Sequence, residues 1–504
     1  MPNSSTSAQT AEQAAGQTAG QAAGQAAGQS VARTPAAALP PEGLAPVSVT
    51  QEQLWLLDRL DPGNAGYNST VLWQLDGPLD TEALRRALAA VVRRQQMLRA
   101  SVVAVDGVPY QRVAESVPVP LTVTDLTGLP EADRTAAAER TVAEAAHRPF
   151  DLGRPPLFRV ELVRTGAERH VMALVIHHIV SDGWSVQVLL QEVADLYAGE
   201  VTGAPVSLPE LAVQFTDYAR EQRERLAGPR GRALADYWTR QLAGAPVTLD
   251  LPTDRPRTGA ADFAGDRHVF QVPAELRTAL TGLARASRAS TFMVTLAAFT
   301  ALLHRLTGQQ DLLVGTPVGN RDKPQWGPLV GYFADTLVMR GDLGGDPTFR
   351  ELLGRTRTTA LQGFVHRDLP FRTLVEAVRP ERAVNRNPLF QVMFILQNIP
   401  PRRRQAELPG VVMTRLDDVR TTSIFDLRFD LFEFEDEMRG QLEYSTRLFD
   451  RSTIERTARQ YLALLADACA DPDRPVSALD LGAADPQQSG ADAAAGFNDD
   501  LGGF

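Results

Sequence analysis

Six consecutive apolar residues at positions 171–176 are the feature that most restricts how this chain of 504 residues folds. A run of that length and composition predicts a buried β-strand. It leads directly into His177 and His178, and Asp182 and Gly183 follow shortly after in what we expect to be a turn. Because two adjacent imidazoles at the end of a buried strand are costly as packing alone, this segment predicts a functional site.

Strand and helix patterns alternate on both sides of this run. Apolar residues at helical spacing predict helices at 54–60, 81–96, 134–147, 273–286, 291–306 and 452–470. Strand patterns occur at 70–74, 111–113, 170–176, 268–272, 311–315, 389–397, 427–434 and 438–444. Residues 221–231 form a polar, arginine-rich segment that we interpret as a connection between two parts of the chain. The intermingled pattern predicts an α/β (α+β) fold.

Length and composition predict two lobes between unstructured ends. With 44% hydrophobic residues, the chain exceeds what one small core accommodates, so we expect lobes at 45–220 and 221–481. Residues 1–44 are rich in Ala, Gln and Gly, and we expect a disordered leader; alanine favours helix, but the recurrent glycines oppose it. Residues 482–504 are predicted to be a flexible acidic tail, either inert or a short docking element for a partner.

Charge and cysteine content exclude several classes of function. The net charge of -10 argues against a partner that is a nucleic acid or an anionic membrane. The single cysteine, Cys469, excludes an intramolecular disulfide and a cysteine-based metal site. The chain has neither an apolar run of the roughly 20 residues that a spanning helix needs nor a secretion signal, so we expect a cytoplasmic protein.

The residue types after the strand are suited to proton transfer. A neutral imidazole such as that of His178 accepts a proton near physiological pH, which is the task of a general base. Asp182 could orient the ring or tie the turn to an arginine, and Gly183 permits the turn. Both histidines are also compatible with a structural role. We expect no metal, because adjacent residues of a strand point to opposite faces. The sequence contains no G-x-S-x-G, Walker or dinucleotide-binding motif, and we expect no cofactor bound by the chain.

The run His177-His178-xxx-Asp182-Gly183 matches the HHxxxDG signature, and the chain resembles the condensation-domain superfamily of nonribosomal peptide synthesis. Six further segments resemble the family motifs SxAQxRLWxL, RHExLR, YxDYA, VGxFVNT, HQDxPFE and RNPLFQ, at 48–57, 94–99, 215–219, 330–336, 366–371 and 386–391. Departures include Asp335, where the family usually has asparagine. The resemblance covers roughly residues 46–480.

The resemblance implies two chloramphenicol-acetyltransferase-like lobes that form a V-shaped pseudo-dimer, with a tunnel that meets at the second histidine. It implies that His178 is the base or positioning group, that His177 supports the turn, and that Asp182 pairs with an arginine, for which Arg94 and Arg99 are candidates. Trp184 and Ser185, which directly follow the signature, and Asp335 are candidate tunnel-lining residues; Asp335 either changes hydrogen bonding near the tunnel or faces solvent.

The implied reaction is attack by an amine or hydroxyl on an acyl or aminoacyl thioester, giving an amide or ester. The substrates would be carried on phosphopantetheine arms of acyl or peptidyl carrier proteins, which are the expected partners. We expect a free-standing condensation enzyme that acts on carriers in trans. The alternatives are an HHxxxDG acyltransferase that esterifies a non-peptide alcohol and a non-catalytic, condensation-like recruitment domain.

Overall fold

The computed structural model describes residues 40–257, 264–380, 386–397, 405–416 and 422–482. The predicted leader, except for its last five residues, 40–44, and the predicted tail beyond residue 482 lie outside these ranges. The described residues include eleven helices: α1 Val49–Leu60, α2 Thr81–Arg94, α3 Glu131–His147, α4 Gly183–Thr202, α5 Phe215–Ala227, α6 Pro229–Gln241, α7 Ala274–Ala286, α8 Thr291–Thr307, α9 Phe349–Val365, α10 Phe371–Val378 and α11 Arg451–Ala470.

The strands of the described residues are β1 Ala45–Pro46, β2 Asn68–Asp76, β3 Ala100–Val105, β4 Val108–Val113, β5 Leu121–Asp125, β6 Phe158–Arg164, β7 Arg169–His177, β8 Gly265–Val272, β9 Asp311–Gly319, β10 Ala334–Asp342, β11 Val392–Gln397, β12 Gln405–Leu408, β13 Val411–Leu416, β14 Leu427–Glu433 and β15 Met438–Ser445. They form two six-stranded sheets, in the orders β12-β13-β2-β7-β6-β5 and β10-β9-β11-β14-β15-β8, and a small sheet β1-β4-β3. The mixed α/β class predicted from the sequence is confirmed.

Local sequence signals explain where the elements that frame the site begin and end. Ser48 caps α1 by accepting a hydrogen bond from the backbone N–H of Gln51, whose side chain bonds back to Ser48 N. Gly203 ends α4 in the left-handed conformation, with φ of 72°, which glycine adopts without steric cost. Strand β15 alternates buried and half-buried residues, as expected for a sheet with one face in the core.

The buried apolar side chains form two large cores, one for each six-stranded sheet. The first core contains residues between 47 and 219, and the second contains residues between 234 and 479. Two segments from the second half of the chain also enter the first core: a crossing loop at residues 326–333 and a crossing hairpin made of β12 and β13. The division of the chain at residues 220 and 221 stays a prediction, but the two lobes are interlocked by these segments.

Residues 221–231, which the sequence indicated as a connection, lie between the two cores and are mostly helical, since they belong to α5 and the start of α6. Helix α5 buries Phe215, Tyr218 and Ala219 on one face. Its arginines looked like a solvated linker in the sequence, yet Arg223 bonds the carboxylate of Glu52 on α1 at 2.6 Å. Paired arginines on an amphipathic helix give the same composition as a polar connection.

In the described part of the chain, no single helix is long and apolar enough to cross a membrane. Helices α7 and α8 pass that test only as a pair, which is bent by 106° at the break between them.

The second core predicts a large effect of truncating Phe429. This ring is fully buried on β14, and its centroid lies 4.4 Å from that of Tyr461 and 5.1 Å from that of Phe299. We expect Phe429→Ala to lower the free energy of unfolding by about 3–5 kcal/mol, because it leaves a cavity. Urea unfolding followed by circular dichroism measures the change.

Phe432→Ala is the matched control, since Phe432 lies on the same strand but is only half-buried. We expect a clearly smaller loss for this variant, and equal losses for the two would contradict the assignment of the core.

Candidate active site

The signature begins where β7 ends, in the middle of the first sheet between β2 and β6. His178 opens a 3₁₀ turn, His178–Val180, and Asp182 then caps α4. His178 is half-buried, and its Nδ1 atom lies 3.3 Å from the carbonyl oxygen of Ser181. The turn therefore presents the second histidine between a buried strand and the start of a long helix.

His177 is buried beside the rings of Tyr67 and Phe150. Its side chain is 3% exposed, and its Nδ1 accepts a hydrogen bond from the backbone N–H of Ile179 at 3.0 Å. Burial, and to a lesser extent the neighbouring His178, lowers the pKa of His177 to about 3. His177 is therefore neutral near pH 7 and supports the turn that carries its neighbour.

Asp182 holds the turn, α4 and the crossing loop together. Its Oδ1 accepts hydrogen bonds from Ser185 N at 2.7 Å and Arg321 Nη2 at 3.1 Å. Its Oδ2 accepts a hydrogen bond from the backbone N–H of Phe333 at 3.1 Å. With the carboxylate committed to these donors, the geometry gives Asp182 a structural role.

The arginine that pairs with Asp182 is Arg321, and the candidates Arg94 and Arg99 were wrong. Arg94 pairs with Glu192 at 2.8 Å, and Arg99 donates to backbone carbonyls, including that of Val92 at 3.0 Å. Both arginines make these contacts within the first lobe. Arg94 and Arg99 were candidates because they lie in a segment that resembles a family motif. Arg321 follows β9, and it lies close to Asp182 only in the folded chain.

Arg321 is buried and uses both ends of its guanidinium group. Nη2 donates to Asp182 and, at 2.9 Å, to Ser185 Oγ, while Nη1 donates to the carbonyl oxygens of Trp326 at 2.6 Å and Leu329 at 2.8 Å. The guanidinium carbon also lies 3.9 Å from the centre of the Phe333 ring. Burial lowers the pKa of Arg321, and the carboxylate of Asp182 opposes this shift. One side chain thus attaches the crossing loop to the signature.

Gly183 ends the signature, and the two residues that follow it differ in whether they line a cavity. Gly183 and Trp184 line a cavity, and Trp184 Nε1 donates to the carbonyl oxygen of Gly327 at 2.8 Å. Ser185 is buried and is not part of the cavity wall; its Oγ lies 2.7 Å from Gly331 O and accepts a hydrogen bond from Gly331 N at 3.0 Å. A Cβ atom at Gly331 would lie 2.1 Å from the Phe215 ring, so the loop approaches closely only because this residue is glycine.

Gln51, within the motif-like segment 48–57, supports the signature from α1 although the sequence predicted no role for it. This buried residue of α1 donates from Nε2 to the carbonyl oxygen of Ile179 at 2.8 Å, inside the signature. A glutamine in an amphipathic helix carries no distinguishing signal, so only the fold reveals the contact.

A cavity of about 1470 Å³ lies between the lobes, and His178 is in its wall. The signature and β2 supply one side, and strands of the second sheet supply another, including Val318, Met393 and Gln441. Tyr332 of the crossing loop also lines the cavity, with its ring centre 6.0 Å from that of His178. The second histidine is therefore accessible from a chamber built by both lobes.

Asp335 does not face solvent, because it is a buried part of the cavity wall at the start of β10. Its Oδ1 accepts hydrogen bonds from the backbone N–H groups of Thr336 at 2.7 Å and Phe371 at 3.0 Å. Burial raises the pKa of this carboxyl to about 7, although the two amides act in the opposite direction. Of the two alternatives for Asp335, the structure supports altered hydrogen bonding at the cavity.

The Condensation domain family model matches residues 42–489. The chain belongs to the condensation domain family. Phosphinothricin tripeptide synthetase PhsC from Streptomyces viridochromogenes is 41% identical over 440 residues, which is 87% of this chain and 40% of the synthetase. The chain therefore spans well under two thirds of the length of this relative.

Solved structures of similar proteins show the same two-lobed architecture. The X-domain in its complex with OxyB from teicoplanin biosynthesis has 29% identity and a TM-score of 0.77, over 89% of this chain and 98% of that chain. SgcC5 from Streptomyces globisporus has 30% identity and a TM-score of 0.71, over 85% of this chain and 100% of that chain. The chloramphenicol-acetyltransferase-like fold that the sequence predicted is confirmed.

Because Arg321 forms a buried ion pair with Asp182, we expect its substitution by another residue to destabilise the fold. We expect Arg321→Met to lower the free energy of unfolding by about 3–5 kcal/mol, because it leaves the carboxylate of Asp182 buried without its cation. Arg321→Lys should recover little, since an ammonium group cannot bond the signature and the crossing loop at once. Chemical denaturation measures both.

Arg350→Met is the control for loss of an arginine, because Arg350 forms an exposed pair with Asp473 at 2.7 Å. An exposed pair contributes about 0–1 kcal/mol. If Arg321→Met lowered the free energy of unfolding as little as this control, the position of the crossing loop would not depend on the pair of Asp182 with Arg321.

Proposed function

We propose that this condensation domain is catalytic, and that it joins an amine or hydroxyl acceptor to an acyl or aminoacyl group held as a thioester on a carrier protein. The observation that supports the proposal best is the position of His178 in the wall of the chamber between the lobes. The turn that carries it is fixed by Asp182 and Arg321, so the imidazole is held in one place.

The reaction requires little more than a positioned base. The acceptor nitrogen or oxygen attacks the thioester carbonyl carbon, a C–N or C–O bond forms, and the C–S bond breaks. His178 takes the proton of the nucleophile, and that proton protonates the departing pantetheine thiolate. Since a thioester is already activated, holding the two reactants in attack geometry supplies much of the rate, and proton removal adds about 10²- to 10⁴-fold.

Carrier proteins with phosphopantetheine arms are the partners that this function requires. A chamber of about 1470 Å³ is large enough for an acyl group and part of its arm. The chain itself needs no cofactor for this chemistry. The similarity to a peptide synthetase supports action in nonribosomal peptide synthesis, and we place that action in the cytoplasm.

A recruitment platform is the second candidate function. It is favoured by the similarity to the X-domain, which was solved in complex with OxyB. His178, with its turn intact, favours catalysis instead. The third possibility, an acyltransferase that esterifies a non-peptide alcohol, needs the same base and differs only in the acceptor.

The test follows product formation by mass spectrometry. A carrier protein is loaded with candidate acyl or aminoacyl groups, and amines, amino acids on a second carrier, and alcohols are offered as acceptors. We expect wild type to form an amide or ester and His178→Ala to lose most turnover, by about 10²-fold or more, because the base is removed.

His147→Ala, at the exposed end of α3, is the control histidine and should retain wild-type turnover. Thermal unfolding shows that the variants are folded. Unchanged turnover of His178→Ala would show that this histidine is not the base. The absence of product with every acceptor class would favour the recruitment function.

A further inference from the structure

Tyr332 of the crossing loop presents an unbonded hydroxyl group to the chamber. The residue is half-buried and lines the cavity, and its ring centre lies 6.0 Å from that of His178. The hydroxyl forms no hydrogen bond with the residues that the structure describes, and it is not among their unbonded oxygens that are sealed from solvent. A substrate atom in the chamber can therefore reach this donor.

Both backbone neighbours of Tyr332 are tied to the start of α4. The N–H of Gly331 donates to Ser185 Oγ at 3.0 Å, and the N–H of Phe333 donates to Asp182 Oδ2 at 3.1 Å. The ring of Phe333 is buried in the first core. Since the residues on each side are held in this way, the position of Tyr332 relative to the signature is fixed by the fold.

Other side-chain donors close to the signature are already used. Trp184 Nε1 donates to a backbone carbonyl oxygen, and the guanidinium group of Arg321 donates to the signature and to the crossing loop. Tyr67 also lines the cavity, but its ring lies beside His177, with 6.5 Å between the ring centres. The family motif VGxFVNT, which residues 330–336 resemble, leaves the position of Tyr332 unspecified, so a hydroxyl here is a feature of this chain.

We propose that Tyr332 is a further catalytic residue, whose hydroxyl donates a hydrogen bond to the thioester carbonyl oxygen as that oxygen becomes negatively charged. The inference rests on the proposed function and adds a second group to it. Attack by the acceptor forms the C–N or C–O bond and converts the carbonyl oxygen to an oxyanion, which Tyr332 stabilises without giving up its proton. When the C=O bond forms again, the C–S bond breaks and the thiolate takes the proton held by His178.

The geometry and the protonation state suit this role. An oxyanion lies about 3 Å from its donor, so rings whose centres are 6.0 Å apart leave room for a carbonyl group beside both. A phenol with its ordinary pKa of about 10 is neutral near pH 7. Burial, and to a lesser extent Asp335, raises the pKa of Tyr332 further, so the hydroxyl keeps its proton.

The experiment measures kcat and KM of wild type, Tyr332→Phe, Tyr67→Phe and Tyr237→Phe, with the acyl carrier and acceptor that give product with wild type. We expect Tyr332→Phe to lower kcat and kcat/KM by about 10²-fold, because removal of one oxyanion donor costs about 10²- to 10³-fold. Tyr237, whose ring stacks on that of His366 at 3.6 Å, is the control for loss of a hydroxyl. Tyr237→Phe should retain wild-type kcat, and Tyr67→Phe should change it by less than about twofold.

Two further measurements separate an oxyanion donor from a structural tyrosine. Thermal unfolding shows that Tyr332→Phe is folded, and Tyr332→Leu, which also lacks the hydroxyl, should lose at least as much kcat. Titration calorimetry with S-acetylpantetheine measures binding without turnover. We expect its Kd to differ by less than about twofold between wild type and Tyr332→Phe, because the hydroxyl stabilises the transition state more than the bound substrate.

The outcomes separate this inference from the proposed function. Wild-type kcat in Tyr332→Phe would overturn the inference and leave the proposed function unaffected. A higher KM or Kd at unchanged kcat would also overturn it, because the hydroxyl would then only bind substrate. A loss confined to Tyr67→Phe would assign the oxyanion to that tyrosine instead. Absence of product with wild type would contradict the proposed function, and the inference would fall with it.

Discussion

The site depends on one buried ion pair, between Asp182 and Arg321, which joins residues 139 positions apart. Burying two opposite charges costs desolvation energy that their attraction does not always offset. The pair here is supported by further hydrogen bonds, from Phe333 N to the carboxylate and from the guanidinium to two carbonyl oxygens. The pair therefore fixes the position of the crossing loop relative to the turn that carries His178.

That constraint explains why the chamber has walls from both lobes. The signature and β2 belong to the first sheet, whereas Val318 and Asp335 belong to the second. The crossing hairpin extends the first sheet by pairing β13 with β2, so the chain itself interlocks the two halves. A proposed reaction between two separately delivered substrates suits such a chamber, because each lobe contributes a wall that can hold one of them.

The helices and strands that were predicted from the sequence agree with the structure because their signals are local. The apolar run at 171–176 lies within β7, and the helix predicted at 291–306 is α8 to within one residue. The sequence also predicted the turn, because the end of a strand, two adjacent histidines and an Asp-Gly pair can be recognised from the sequence alone. The family resemblance also gave the two-lobed fold, which residue spacing alone would not have shown.

The failures concern contacts between distant parts of the chain. Arg94 and Arg99 were attractive partners for Asp182, yet each is closer in the fold to its own acceptors. The helical structure of residues 221–231 was not predicted either, because arginines that are paired in a helix give the same composition as a linker. The burial of Asp335 likewise depends on how β10 meets α10. Such information exists only in the tertiary structure.

A double-mutant cycle on Asp182 and Arg321 tests the central claim most directly. The free energy of unfolding is measured for wild type, Asp182→Asn, Arg321→Met and the double variant. If the pair joins the lobes as described, the coupling energy should be about 2 kcal/mol or more, within the range for residues that share one buried network. Additive effects, with a coupling below about 0.5 kcal/mol, would contradict the account.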